Sequence, residues 1–165
     1  MIITDEMVCA ALDRIATSQD PKALRKMADN AKEAGNEIVK EAALRRLYAV
    51  SPAAEPGSLE HAVWQSVFAL EDALTDERGK TTRLSRTRQK IAREGEVRTV
   101  ADLVLKRASD GYRMLIERGW PELTFEAVAL KHPDRFDSNV LEAAEERLSA
   151  SGVTVAGSPV LSDDA

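Results

Sequence analysis

The sequence predicts an all-α protein: a helical bundle in which a long central helix is flanked by short N- and C-terminal helices. Aromatic residues make up only 4% of the 165 residues and charged residues 31%, whereas 44% are apolar. This composition favours packed helices over sheets rich in aromatic and β-branched side chains. Apolar residues also recur at spacings of three and four along most of the chain, which is the spacing of one helix face.

Residues 1–50 contain three short helical patterns, which we interpret as an N-terminal helical layer. Asp20 followed by Pro21 predicts the start of the second helix, because the carboxylate accepts from free backbone amides and proline needs no donor in the first turn. Gly35 predicts its end. Residues 51–57 contain two prolines and a glycine among small residues, so we expect a linker there.

The central helix is predicted from a seven-residue repeat of apolar residues that begins after Ser58. Gly79 lies where this seam turns polar, and two interpretations stay open: one helix that continues to Arg93, or a helix that breaks at Gly79. The seam is expected to pack against a partner helix, and we predict a homodimer on this basis. The seam residues are Val63, Val67, Leu70, Leu74, Leu84 and Ile91.

Several short helices are expected after Gly95, and Thr124 is a candidate cap for one of them. We group residues 58–150 as the long helix plus a C-terminal helical bundle. Residues 151–165 are small and polar and are predicted to be a mobile tail. A chain of this length suits one compact unit overall.

Charge changes sign abruptly in the middle of the chain. Residues 51–77 carry six acidic residues and no Lys or Arg, whereas residues 78–98 carry eight basic residues and two acidic ones. The whole chain has a net charge of −5, so a basic segment this dense predicts a strongly anionic partner. Its cations are Arg78, Lys80, Arg83, Arg86, Arg88, Lys90, Arg93 and Arg98.

Four of these cations, Arg83, Arg86, Lys90 and Arg93, fall within a sector of about 80° on a helix. The guanidinium group presents donors in a fork that matches phosphate oxygens. We therefore predict a cytoplasmic, non-catalytic protein that binds nucleic acid, with duplex DNA favoured, and that acts as a regulator or accessory factor.

A different function is predicted if the two charged halves of the central helix pair with each other. In an antiparallel dimer, the acidic stretch from Glu60 to Glu77 would meet the basic stretch of a second copy, and complementary charge would fix the register. The protein would then be an interaction adaptor, with itself or an acidic protein as its partner.

Catalytic chemistry has little support in the sequence. The two histidines, His61 and His132, and the single Cys9 do not show the spacing of metal ligands, and no phosphate-binding loop or nucleophile motif is present. We expect no catalytic residue, metal or cofactor, although the frequent acids leave a metal-dependent nuclease as an open alternative. No apolar run approaches the roughly 20 residues that span a membrane, so we expect no membrane partner.

Overall fold

The computed structural model describes residues 4–153, and this part of the chain is all-α, as the sequence predicts. It contains no β-strand. Two 3₁₀ turns, Pro121–Leu123 and Pro133–Arg135, begin at prolines. The α-helices of the described chain are α1 (Asp5–Thr17), α2 (Pro21–Glu33), α3 (Glu37–Val50), α4 (Leu59–Arg78), α5 (Ser85–Glu94), α6 (Glu96–Leu105), α7 (Asp110–Glu117), α8 (Phe125–Lys131) and α9 (Ser138–Ala150).

Capping side chains begin several helices where the sequence predicts them. The Asp20 carboxylate accepts a hydrogen bond from the Lys22 N–H at 3.0 Å, and the Ser58 hydroxyl accepts one from the His61 N–H at 3.1 Å. Thr124 caps α8 in the same way. Each cap satisfies a backbone donor that the first turn of a helix leaves unpaired.

The chain groups into two compact units, and the division between Pro56 and Gly57 falls inside the linker 51–57. In the first unit, α1 and α2 each pack against α3. Its helices bury one apolar face each, as the spacing in residues 1–50 predicts. Buried side chains of this unit include Ile15, Leu24, Ala28, Ala43, Leu47 and Tyr48.

The second unit is built around α4, which contacts α6, α7 and α8, while α9 packs against α6 and α8. Branched aliphatic residues of α4 and α6 occupy the middle of the core, and Val63, Val67, Val100 and Val104 are all fully buried. The wider core cluster adds Leu59, Ile91, Val128, Ala129, Phe136, Val140 and Ala144.

The long central helix is broken, as one of the two interpretations predicted, and the continuous helix to Arg93 does not form. Helix α4 ends at Arg78, and Gly79 follows in the left-handed conformation with φ +69°. Its N–H donates to the Thr75 carbonyl at 3.0 Å, which closes the last turn. Residues 80–84 are not helical, and α5 begins at Ser85. The acidic and basic halves therefore lie on separate helices.

The apolar seam is packed inside the second unit. Val63 and Val67 are fully buried, Leu70, Leu74 and Ile91 are at most 9% exposed, and Leu84 is half-buried. The helices that cover the seam belong to the same chain. A homodimer built on this seam therefore loses its basis, because these side chains have found their partners within the unit.

Among residues 4–153, no helix is both long enough and apolar enough to cross a membrane. The predicted mobile tail, residues 151–165, lies outside the described residues from 154 onward.

Candidate functional site

Five of the eight predicted cations are exposed and form no salt bridge within the described chain. They come from the end of α4, the loop that follows it, and α5. We call this set the basic surface. Its members are Arg78, Lys80, Arg83, Arg86 and Arg93.

Helix α5 gives the basic surface its geometry. Ile91 is 5% exposed and faces the core, with Leu84 and Thr87 half-buried on the same side. Arg86 and Arg93 lie on the opposite side, seven residues apart, which places them within about 20° of one face and roughly 10 Å apart along the helix. Two guanidinium groups are thus presented to solvent in a row.

Arg88 is held inside the fold and does not contribute to the basic surface, contrary to the prediction. Its guanidinium group forms a two-point ion pair with Glu71, Nε to Oε1 at 2.6 Å and Nη2 to Oε2 at 2.8 Å. It also lies 5.3 Å from the centroid of the Trp64 ring and 5.6 Å from that of Phe68. The hydrogen bond to Glu71 raises the pKa of Arg88. Arg88 therefore anchors α5 to α4 and turns the remaining cations outward.

Lys90 is also neutralised, again contrary to the prediction. Its Nζ lies 2.7 Å from Asp102 Oδ2 and 2.5 Å from Glu94 Oε2. These hydrogen bonds, first the one to Asp102, raise the pKa of Lys90. The side chain links α5 to α6, so we remove it from the candidate site.

Arg98 forms an ion pair but stays exposed to solvent. Its Nε lies 3.3 Å from Asp102 Oδ1, while its side chain is 70% exposed. An exposed ion pair of this kind is weak, so Arg98 remains accessible to an anion although a carboxylate lies beside it.

Three carboxylates of the acidic stretch, all on α4, are paired within the same unit. Besides Glu71, Glu60 meets Arg135 at 3.3 Å and Asp76 meets Arg118 at 3.0 Å. The partners lie 75 and 42 residues away along the chain, so spacing within the central segment gave no signal for them. Glu71 itself is buried, at 9% exposed.

Some hydroxyl groups near the basic surface are exposed, and others are hydrogen-bonded within the loop. Thr81 and Ser85 are exposed. Thr82, in contrast, is used by the loop, since its N–H donates to Thr75 Oγ1 at 2.9 Å and its hydroxyl to the Lys80 carbonyl at 3.0 Å. The exposed hydroxyls are additional donors for phosphate oxygens.

The basic surface presents guanidinium, ammonium and hydroxyl donors of the kind that match the oxygens of an extended anion. Within residues 4–153, no three His, Cys, Asp or Glu side chains come together in a way that could hold a metal ion. Cys9 is exposed on α1 in the first unit.

No protein-family model matches the chain, and no match was found among curated proteins or solved structures.

Proposed function

We propose that the second unit binds nucleic acid without chemical change to it, and that duplex DNA is the favoured partner. The observation that carries this proposal is the basic surface: five exposed cations within sixteen residues of chain, 78–93, none of them in a salt bridge with another residue of 4–153. A chain of net charge −5 repels phosphate overall, so a dense cationic surface is needed before binding can occur.

Contacts from such a surface go to the phosphate backbone. Arg86 and Arg93 project from one helix face, and Arg83 precedes the same helix. Fork-shaped guanidinium groups bind phosphate oxygens well, but phosphate contacts carry no sequence information by themselves. We therefore propose an accessory or regulatory protein whose affinity depends on salt more than on DNA sequence.

Fluorescence anisotropy of a labelled DNA duplex, titrated with protein at several salt concentrations, tests the proposal. Contacts with three to five phosphates predict that log affinity falls with log salt at a slope of roughly −3 to −4.5. Changing Arg83, Arg86 and Arg93 together to Ala removes three contacts, so we expect the slope to become shallower by about 3 units and the affinity to fall at least about tenfold.

The matched control changes three exposed cations of the first unit, Arg14, Lys22 and Lys26, to Ala. It alters net charge by the same amount and should leave most of the affinity in place. Equal losses in the two variants would contradict the proposal, because binding would then follow total charge and not the basic surface. Binding of the wild-type chain that ignores salt would contradict it as well.

The adaptor hypothesis has less support than nucleic-acid binding. Pairing between two copies would have to compete with the ion pairs that Glu60, Glu71 and Asp76 already form within their own unit. An acidic protein partner would use the same basic surface. Sedimentation equilibrium of the wild-type chain alone tests self-association: a charge-driven dimer would be present in the wild type and lost when Arg83, Arg86 and Arg93 are changed to Glu, whereas a monomeric wild type would contradict pairing between copies.

A further inference from the structure

The second unit contains a cavity of about 370 Å³ that the basic surface does not account for. Helices α4, α5, α6 and α7 line it, together with the loop from Lys106 to Ser109, the start of α8 and Arg147 of α9. A volume of this size lies at the lower end of the range for small-molecule sites in proteins.

Most of the surface that lines the cavity is apolar. Its lining includes Leu70, Leu74, Leu84, Leu103, Leu115 and Phe125. Gly111 lets α7 approach α4 closely, since a Cβ atom there would lie 2.7 Å from Leu70 Cδ2. The interior therefore offers leucine side chains from several helices to a ligand.

Three buried polar side chains that line the cavity, Glu126, Tyr112 and Thr124, are already hydrogen-bonded. The Glu126 carboxylate accepts from Arg147 Nη1 at 2.5 Å. The Tyr112 hydroxyl donates to the Arg147 carbonyl at 3.0 Å, and Thr124 Oγ1 caps α8. Because these groups need no further partner, the interior suits the apolar part of a ligand and not a second polar group.

The mouth of the cavity is cationic. Arg78, Lys106 and Arg107 line it, all three are exposed, and none forms a salt bridge in the described part of the chain. The acid at the mouth, Asp110, lies 3.7 Å from Arg113 and is exposed. A ligand with its apolar part inside would thus leave its polar end among three positive charges.

We infer that this cavity binds an aliphatic carboxylate, with the alkyl chain against the leucines and the carboxylate near Arg78, Lys106 and Arg107. Charge complementarity at the mouth and apolar walls inside select this chemistry together. A neutral alcohol of equal length would lose the attraction at the mouth, and an amine would be repelled there. The site shares only Arg78 with the proposed nucleic-acid surface, so the two proposals can fail separately.

Titration of ¹⁵N-labelled full-length protein with decanoate, below its micelle concentration, tests the inference by NMR. Saturable shifts of amides lining the cavity are expected, with binding that weakens as salt is added. Decanol should bind more weakly and without salt dependence. Changing Lys106 and Arg107 together to Ala should weaken decanoate about fivefold to tenfold and leave decanol unchanged.

Two further variants complete the design. Thr87→Phe fills the cavity from α5 and should abolish decanoate binding while the circular dichroism spectrum stays that of the wild type. Changing Lys22 and Lys26 of the first unit to Ala is the charge-matched control and should have no effect. The inference is overturned if decanoate fails to saturate, if it binds no better than decanol, or if its shifts map outside the cavity.

Discussion

Glu71 of α4 and Arg88 of α5 meet in a two-point ion pair, at 2.6 and 2.8 Å, and the two side chains are only 11% and 27% exposed. Glu71 Oε1 also accepts the Leu84 N–H at 2.9 Å, just before α5 begins. One carboxylate thus fixes both the start of α5 and its rotation about its axis. The outward position of Arg86 and Arg93 depends on this contact.

Replacing Glu71 by Gln should destabilise the second unit. Arg88 would keep a partner of similar shape but lose its counter-charge in a partly buried position, and we expect the free energy of unfolding to fall by about 1–3 kcal/mol. Urea unfolding at neutral pH, followed by circular dichroism, measures the change. The control is Glu117→Gln, which breaks an exposed ion pair with Arg113 and should change stability much less.

A double-mutant cycle with Arg88→Gln tests whether the pair itself is responsible. If Glu71 and Arg88 stabilise the fold through each other, the double variant should be more stable than the sum of the two single losses predicts, by about 1 kcal/mol or more. Additive losses would show that each side chain acts through its other contacts.

The Glu71 carboxyl should also make stability depend on pH. Burial alone raises its pKa, but hydrogen bonds from Arg88 and from the Leu84 N–H, with the positive charges of Arg88 and Arg83, outweigh burial and hold the pKa below its ordinary value. A carboxyl whose pKa is lower in the folded chain stabilises the fold above its unfolded pKa. That contribution is lost as pH falls through the folded pKa.

We therefore expect the stability difference between the wild type and Glu71→Gln to be largest near neutral pH and to shrink between about pH 5 and pH 3. Urea titrations at several pH values in this range measure it. A difference that stays constant would mean that the pKa of Glu71 is the same in the folded and unfolded chains, contrary to the pairing with Arg88.

The sequence was sufficient to predict the fold class and many helix ends. Apolar spacing and capping residues are local signals: Ser58 and Thr124 satisfy the N–H groups three residues ahead of them, whatever the rest of the chain does. The seam residues were predicted to pack against a helix, and five of the six are buried, while Leu84 is half-buried. Periodicity did not identify the helices that cover Val63 and Val67. The apolar spacing in the sequence is the same whether a second copy or the same chain covers a buried face.

The sequence predicted that the candidate site is a basic segment, but not which of its cations are exposed and unpaired. Arg86 and Arg88 are two residues apart on one short helix, yet one is exposed and the other is bound to Glu71. The difference depends on the end of α4 at Gly79, because the turn that follows brings α5 back against α4. Lys90 likewise meets Asp102 because α6 follows α5 closely. Such pairings are tertiary, so charge counts along the sequence overestimated the number of free cations.

Gly79 should be costly to replace by any residue that avoids the left-handed conformation. Its φ is +69°, and no atom of residues 4–153 lies within 4 Å of a Cβ added there, so the penalty of Gly79→Ala is conformational and amounts to about 1–2 kcal/mol. Gly79→Asn should cost less, since Asn tolerates this conformation better. Urea unfolding of both variants measures the difference. A rise in helix content in Gly79→Ala would indicate instead that α4 and α5 fuse.

Arg147 should be among the most sensitive positions in the second unit. Its Nη1 lies 2.5 Å from Glu126 Oε1, and the Glu126 side chain is only 5% exposed. The same guanidinium donates to the Lys106 carbonyl and lies 5.8 Å from the centroid of the Tyr112 ring. Arg147→Met removes the counter-charge of a buried carboxylate, and we expect a loss of about 3–5 kcal/mol in the free energy of unfolding.

The matched comparison is Arg135→Met, which breaks the ion pair with Glu60, where both side chains are more than one-third exposed. That variant should lose far less stability, because water solvates the carboxylate left behind. Adding Glu126→Gln to Arg147→Met should restore part of the loss, since the stranded charge is then removed. Thermal and urea unfolding of the three variants decide the matter: equal losses at Arg147 and Arg135, or no recovery in the double variant, would show that burial of Glu126 is not what makes Arg147 necessary.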